Sequence, residues 1–464
     1  MHSQSSMTDP DCPTGRRMRV CYIDASLRSN IGHYANSCRH IVGEFRRRNA
    51  DVDVYGNRAL EPGLAEELGA IPLFRHGTYD TIVAYFLVSV LQPVDYRMAR
   101  SSFLCDLRAV WRRGPYDLVF VNSVMPAELA AVGLWLNSFP AAAVPRVAME
   151  FGAPTGDGIH DPYLGGWWQQ FPRFYRQAAV ILGRRRSDSL FLFTFDAAAS
   201  AEYAKLLGRP VETMPAVHVG RQEPRRRVRR SDNRVTIAFL GHQRLEKGYH
   251  LIPAIIRQLR ARAVPVTVLV HNGDPDEVTV DRELRSMAAD APHLVFEHRT
   301  ADARYWQDLM DRSDLIVLPY DPTRYRASYS AVAVEAAGEG IPMVVPAATT
   351  METLVNTVQG GGTVFAGWEA SAVSDAIEKA VADFESLASR AMAGAVEWRR
   401  ANGAARFADR LLVAMPGGGE SIALPHGHDV AMNVAMGFIL DAVFAGAIAG
   451  VKGLMRIERI CRSH

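Results

Sequence analysis

Residues 239–249 read Phe239-Leu-Gly-His-Gln-Arg-Leu-Glu-Lys-Gly-Tyr249. The stretch follows Thr236-Ile-Ala-Phe-Leu240, a short apolar run of the kind that forms a buried strand. It leads into Tyr249 to Leu259, which reads as a helix. Strand, glycine turn and helix together make a site for an anion. Gly241 at the strand end lets backbone approach a ligand, and a helix N-terminus offers free N–H groups and positive potential. Arg244 and Lys247 add full charges of the kind a diphosphate requires. The same residues also fit a plain turn with two exposed cations, because one glycine-bearing turn is weak evidence.

Working outward, strands alternate with helices. Val264 to His271, Leu294 to Glu297, Leu315 to Leu318 and Met343 to Val345 read as strands. A helix is expected around Ala331 to Gly338, and a long helical stretch from Glu369 to about Trp398. The first half repeats the pattern. Arg19 to Asp24 is a strand, and 33–48 has helical spacing. Asp51 to Tyr55, Tyr116 to Val121, Arg146 to Met149, Leu190 to Phe195 and Val211 to Ala216 are further strands, with helices from near Pro126 and up to Leu207. Such alternation implies mostly parallel sheets covered on both faces. Two such domains are expected, 18–220 and 234–400, joined by an Arg-rich linker at 221–233. Residues 1–17 read as a disordered lead-in without the apolar segment of a signal peptide, and 401–415 as a terminal helix.

The totals agree. A chain of 464 residues is too long for one ordinary core. Apolar content of 48% and charged content of 22% are those of a globular protein, and a net charge of +2 excludes nucleic-acid binding by the whole chain. Arginines cluster at 46–48, 184–186 and 225–230; solvated surface and a patch for anionic lipid or a phosphorylated acceptor both fit. Five scattered cysteines argue against a disulfide framework and a zinc site, and fit a reducing cytoplasm. The tail, 416–464, opens on Pro416-Gly-Gly-Gly419 and carries an apolar stretch from Ala431 to Val451 interrupted by Asn433 and Asp441. A packed or oligomerising helix, a membrane-surface helix and a span all remain open for it.

A second motif lies after Leu315-Ile-Val-Leu-Pro-Tyr320. A polar loop, Asp321 to Tyr329, leads to a helix that Ser328 or Ser330 would cap. Glu335 sits inside this helix and needs a hydroxyl or cation partner; a ribose diol would serve. Gly340-Ile-Pro-Met-Val-Val-Pro346 then forms a turn and a strand.

Together Gly241 to Gly248 and Glu335-Ala-Ala-Gly-Glu-Gly-Ile-Pro-Met-Val344 resemble the donor-domain motifs of retaining glycosyltransferases of family four. The resemblance implies the GT-B fold: two Rossmann-like doubly wound domains facing across a cleft, here with a C-terminal helical extension. It implies sugar transfer from a nucleotide sugar (UDP- or GDP-sugar) to a carbohydrate or lipid-linked hydroxyl acceptor, with no cofactor and no metal. It casts Lys247 as the diphosphate-binding lysine, Arg244 as its partner and Glu335 as the ribose holder. Gly241, His242, Asn272, Ser328 and Ser330 fall on the donor side. Gly32, His33, Glu150 and His160 fall on the acceptor side, and Trp167-Trp168 could stack on a sugar or pack inside. Two departures stand out. Ala327 occupies the place of the family's first glutamate, and Glu150-Phe-Gly152 the place of a histidine. A degenerate homologue acting as scaffold, or an epimerase on the same fold, are the rival expectations. A cytoplasmic enzyme is expected, peripheral at the inner face of the membrane, with homo-oligomerisation through the tail as a further expectation.

Overall fold

A computed structural model of the chain describes residues 16–30, 33–80, 88–140, 144–156, 170–183, 189–218, 223–225, 227–229, 231–274, 276 and 278–414. The tail at 416–464 and the tryptophan pair lie outside the described residues.

The first half builds one parallel sheet from β1 (Arg19–Ile23), β2 (Asp51–Asn57), β3 (Ala70–Phe74), β4 (Leu118–Val121), β5 (Val147–Glu150), β6 (Leu190–Thr194) and β7 (Glu212–Thr213), in the order β3-β2-β1-β4-β5-β6-β7. Its helices are α1 (His33–Arg47), α2 (Pro62–Leu68), α3 (Val88–Trp111), α4 (Pro126–Leu136), α5 (Phe171–Leu182) and α6 (Ala197–Leu207). The central strands β1, β4 and β5 are buried along almost their whole length, which is why they read as unbroken apolar runs.

The second half builds β8 (Val235–Phe239), β9 (Val266–Asn272), β10 (Leu294–His298), β11 (Leu315–Val317), β12 (Met343–Pro346) and β13 (Gly362–Phe365) in the order β10-β9-β8-β11-β12-β13, all parallel. Around it lie α7 (Ile252–Ala261), α8 (Thr279–Ala289), α9 (Ala303–Arg312), α10 (Pro322–Tyr325), α11 (Ala331–Glu339), α12 (Thr350–Thr357), α13 (Ala370–Ala382) and α14 (Phe384–Ala401), and α15 (Ala404–Ala414) follows them in the chain. In each sheet the order reverses beside the first strand, between β1 and β4 and between β8 and β11. A doubly wound sheet opens a crevice for ligands at that reversal.

Several expectations change. The helix read from Tyr249 starts only at Ile252, after two 3-10 turns, Leu245–Lys247 and Tyr249–Leu251. Gly248 between them has φ +71°, and an added Cβ would stand 1.9 Å from the Pro319 carbonyl oxygen. The turn is therefore pressed against the end of β11, which delays the helix. The stretch from Glu369 is two helices that meet at Asp383. The elements α2, β3, α3, α5 and β13 had no sequence reading. β3 is an edge strand carrying Pro72, and α3 carries Pro93, so both break the patterns a reader looks for.

The linker arginines are not all solvated. Arg227 is buried, donating to the Asp311 carbonyl at 2.9 Å, with Glu339 3.5 Å away. Arg229 donates to the Val381 carbonyl and lies over the Phe384 ring. The chain later crosses back. The Gly403 N–H donates to the Ala216 carbonyl at 2.7 Å, and the Ala216 N–H to Asn402 Oδ1 at 2.8 Å. α15 then packs on the first sheet, its buried Phe407 meeting Phe120 and Phe193 at ring distances of 5.7 and 5.6 Å.

Candidate functional site

The carboxyl ends of both sheets open on one cleft of about 710 Å³. From the first half it is lined by turns after β1, β4 and β5, including Arg28, Ser123 and Glu150; Tyr34 of α1 and Tyr79 join them. From the second half come the turn after β8, the ends of β9 and β11, and the start of α11.

The cationic side is built by tight backbone geometry. Gly241 takes φ +111°, and an ideal Cβ there would lie 3.8 Å from the Lys247 ammonium. The positive φ favours glycine at this position, and the turn it makes lies beside the Lys247 ammonium. Lys247 is half-buried, 5.6 Å over the Tyr320 ring, and no carboxylate pairs with it among the described residues. Burial, with the neighbouring Arg244 charge, lowers its pKa to about 8, so it carries a proton at neutral pH. Arg244 is exposed, with Glu246 3.7 Å away. His242 is half-buried beside both cations, and burial together with their charges lowers its pKa, which keeps it neutral. Arg324 also lines the cleft and donates to Ser328 Oγ at 3.2 Å.

The helix N-terminus that serves the cleft is that of α11. Ser330 caps it, accepting from the Ala333 N–H at 3.4 Å, and Ala331 and Val332 line the cleft. The first N–H groups of a helix have no partner within it and favour an anion. The expected terminus after Gly241 is replaced by the 3-10 turns described above. Ser328 and Tyr329 line the cleft, whereas Ala327 is buried and does not.

Glu335 lines the cleft but is mostly covered. Its Oε2 accepts from the indole N–H of Trp306 on α9, and burial pushes its pKa up to about 7. Asn272 departs from its expected place. It is 1% exposed, and its Oδ1 accepts from the Gln243 and Asp274 N–H groups while its Nδ2 donates to Asp281. That side chain braces the turns beneath the cleft and does not line it. Its neighbour His271 does line the cleft, held neutral by burial, with Nε2 2.8 Å from the Arg299 carbonyl.

Across the cleft, Glu150 ends β5. Its Oε2 accepts from the Ser123 N–H at 3.3 Å, and burial, aided by the charge of Asp24, raises its pKa to about 7. Asp24 lies behind, raised to about 6 by burial, and accepts from Asn122 Nδ2 at 2.9 Å. Gly32, the side chain of His33, and His160 lie outside the described residues. Among the described residues no group of His, Cys, Asp and Glu could hold a metal ion, and no helix is long and apolar enough to cross a membrane.

The structure therefore brings Gly241, His242, Arg244, Lys247, Ser328, Ser330, Glu335 and Glu150 to one cleft. Sequence reading missed Arg324, Trp306, His271 and Tyr79. Arg324 stood in a polar loop already singled out after β11; Trp306 and His271 lie on helix and strand positions, and Tyr79 in a turn, with no local mark.

No family model matches the sequence, and no curated protein does. Solved structures do match. A sucrose-phosphate synthase from Thermosynechococcus elongatus superposes with a TM-score of 0.58 at 13% identity, covering 93% of this chain and 100% of its own. HepE from Anabaena, solved in complex with UDP, has a TM-score of 0.58 at 15% identity, covering 86% and 99%. A glycosyltransferase from Rickettsia africae has 0.56 at 10% identity, covering 86% and 98%. Two parallel doubly wound sheets facing across a cleft, matched over nearly whole chains, define the GT-B fold, and this chain has it.

Proposed function

We propose that the protein transfers a sugar from a nucleoside-diphosphate sugar to an acceptor hydroxyl. The observation that carries this reading is the convergence of Lys247, Arg244, Arg324 and the N-terminus of α11 in a cleft whose opposite wall presents Glu150. Such a set of donors suits the diphosphate that leaves with the electron pair of the broken C1–O bond. The acceptor oxygen forms the new bond to C1, and its proton passes to the departing phosphate oxygen. Glu335 binds the donor ribose through the oxygen not engaged by Trp306, and Ser328, Tyr329 and Ser330 face the sugar in place of the side chain missing at Ala327. HepE structures with UDP and with UDP-glucose support a uridine nucleotide as the first donor to try. Retention of configuration rests on the family-four resemblance, with the acceptor oxygen attacking C1 from the face that the diphosphate leaves and no protein nucleophile taking part. The acceptor enters from the first domain, past Glu150, Tyr34 and Tyr79, and closure of the two halves excludes water. A hexosyl transfer serving polysaccharide or glycolipid assembly at the inner membrane face completes the proposal.

The test is binding and slow hydrolysis of a panel of UDP-, GDP-, ADP- and TDP-sugars, the parent beside Lys247→Ala. One donor that binds and turns over, with both lost in the variant, supports transfer. No binding by any nucleotide would sink it in favour of a scaffold. The anomer released, read by proton NMR, decides retention.

A further inference from the structure

The turn after β3 and the helices α3, α4 and α5 enclose a second cavity, of about 50 Å³, in the first half. Four carboxyls line it: Asp80, Asp95, Asp106 and Glu128. The last three are buried. Asp80 pairs with Arg28, Asp106 has the Arg75 guanidinium 3.7 Å away, and Arg100 lies 5.9 Å over the Tyr96 ring. None of these three arginines lines the cavity, and the residues that do include no Arg and no Lys. His76 lines it, and its pKa is lowered, chiefly by burial, which keeps it neutral at pH 7. The rings of Phe103, Phe174 and Tyr96 form the rest of the wall, those of Tyr96 and Phe174 stacked 4.4 Å apart. Thr78 and Tyr96, which also line the cavity, are 7% and 8% exposed. Neither hydroxyl has a hydrogen-bond partner among the described residues. Buried polar groups are nearly always satisfied, so two orphaned hydroxyls beside carboxyls call for a donor from outside the chain.

From this we infer that the cavity binds a primary ammonium group. Such a group carries one charge and three N–H donors, which suit the Asp95 carboxylate and the oxygens of Thr78 and Tyr96. Aromatic walls add their own attraction for a cation. A neutral hydroxyl would bring no charge to offset the acids, and a quaternary ammonium would bring no donor. At roughly 10–15 Å³ for each water-sized group, the volume admits an ammonium head on a short stem and excludes a sugar ring. Burial, with the Asp95 charge adding to it, pushes the Glu128 pKa up to about 8, and a cation among these acids would relieve that repulsion. Asp80 also lines the cleft, and Tyr79, between Thr78 and Asp80, faces the cleft alone. The acceptor, entering past Tyr79, is therefore the carrier of the ammonium group. Naming that carrier rests on the sugar-transfer reading; the ammonium site itself does not.

The experiment is titration of the full chain with ethylammonium chloride, read by thermal shift and by ligand NMR, beside ethanol and tetramethylammonium chloride. Ethylammonium should raise Tm, and the two controls should not. Tyr96→Phe removes an unpartnered hydroxyl, so Tm without ligand should hold or rise, while the Kd for ethylammonium rises about 10-fold. Asp95→Asn should raise that Kd about 10- to 100-fold. Absence of ethylammonium binding overturns the site, as does equal binding of either control or parent-like affinity in Tyr96→Phe. In a second arm, with whichever donor turns over, kcat/KM should be higher for glucosamine than for glucose, and the ratio should fall toward one in Tyr96→Phe. A ratio of one in a parent that binds ethylammonium overturns the acceptor as carrier and assigns the site to a free amine. Donor turnover without ethylammonium binding sinks this site alone, and ethylammonium binding without turnover of any donor sinks sugar transfer alone.

Discussion

Lys247 and Glu335 show how burial sets the chemistry of single groups. Among the described residues no carboxylate pairs with Lys247, which leaves its charge to a ligand, and its lowered pKa makes that charge sensitive to pH. Removing it in Lys247→Ala should weaken nucleoside diphosphate binding by about 1.5–3 kcal/mol, roughly 10- to 150-fold in Kd, as calorimetry would read. In the parent, affinity should hold below about pH 8 and fall as pH rises through that value, because only the protonated lysine attracts the diphosphate. A flat profile to pH 9 would argue that another cation dominates. Trp306→Phe removes the N–H that favours the Glu335 carboxylate, so the Glu335 pKa should move further up. Carbon-detected NMR of the labelled carboxyl would follow that shift.

Among elements, the turn from Gly241 to Gly248 illustrates local geometry imposed from outside. Gly248 holds positive φ and lies against the Pro319 carbonyl, so Gly248→Ala combines a strained backbone with a clash. It should cost about 2–4 kcal/mol in urea unfolding, and nucleotide affinity should fall with it, because Lys247 is the adjacent residue. Gly338 on α11 is a second close approach, with a Cβ there only 2.2 Å from the His218 ring. Here the neighbour is a side chain that can turn, so a smaller loss is expected for Gly338→Ala.

For the whole molecule, two features link the halves to stability. The last described helix, α15, belongs by packing to the first sheet, so Phe407→Ala should destabilise the first domain by about 3–5 kcal/mol and speed hydrogen exchange in β4 and β6. Burial also raises four carboxyls: Asp24 to about 6, Glu150 and Glu335 to about 7, and Glu128 to about 8. A raised carboxyl binds its proton more tightly in the folded chain, so its contribution is present at low pH and lost as pH climbs through the folded value. The half-buried His218 and the buried His271 act oppositely, their pKa values lowered to about 3 and 4, so they favour the folded chain as pH rises toward 6.5. The two trends offset each other in acid. Above about pH 6.5 the carboxyls dominate until Lys247, lowered to about 8, begins to oppose them, and Tm should fall from pH 6.5 to about pH 7.5. Glu128→Gln should flatten that fall; a Tm that rises over the interval would contradict the assignment.

Alternating buried strands and amphipathic helices were legible along the chain because a doubly wound sheet writes its burial into contiguous residues. Thr236 to Leu240 and Tyr116 to Val121 could be read alone for that reason. Edge strand β3 and helix α3 could not, since proline and the half-exposed faces of an edge blur the same signal. Of the site, Gly241, Lys247 and Ser330 were legible because each sits in a turn or at a helix start whose local chemistry stands out, and Glu335 through the helix-and-turn motif it opens. Trp306, Arg324 and Tyr79 were not, and Asn272 was misplaced. Which way a strand-end side chain faces depends on the turns packed over it, and those come from distant segments. The sequence by itself determined two α/β halves and a cationic turn. Only the tertiary structure decided that Glu150 faces that turn, that α11 and not α7 points its N-terminus into the cleft, and that α15 returns to the first sheet. Each of these rests on contacts between residues far apart in the chain, and no local pattern encodes them.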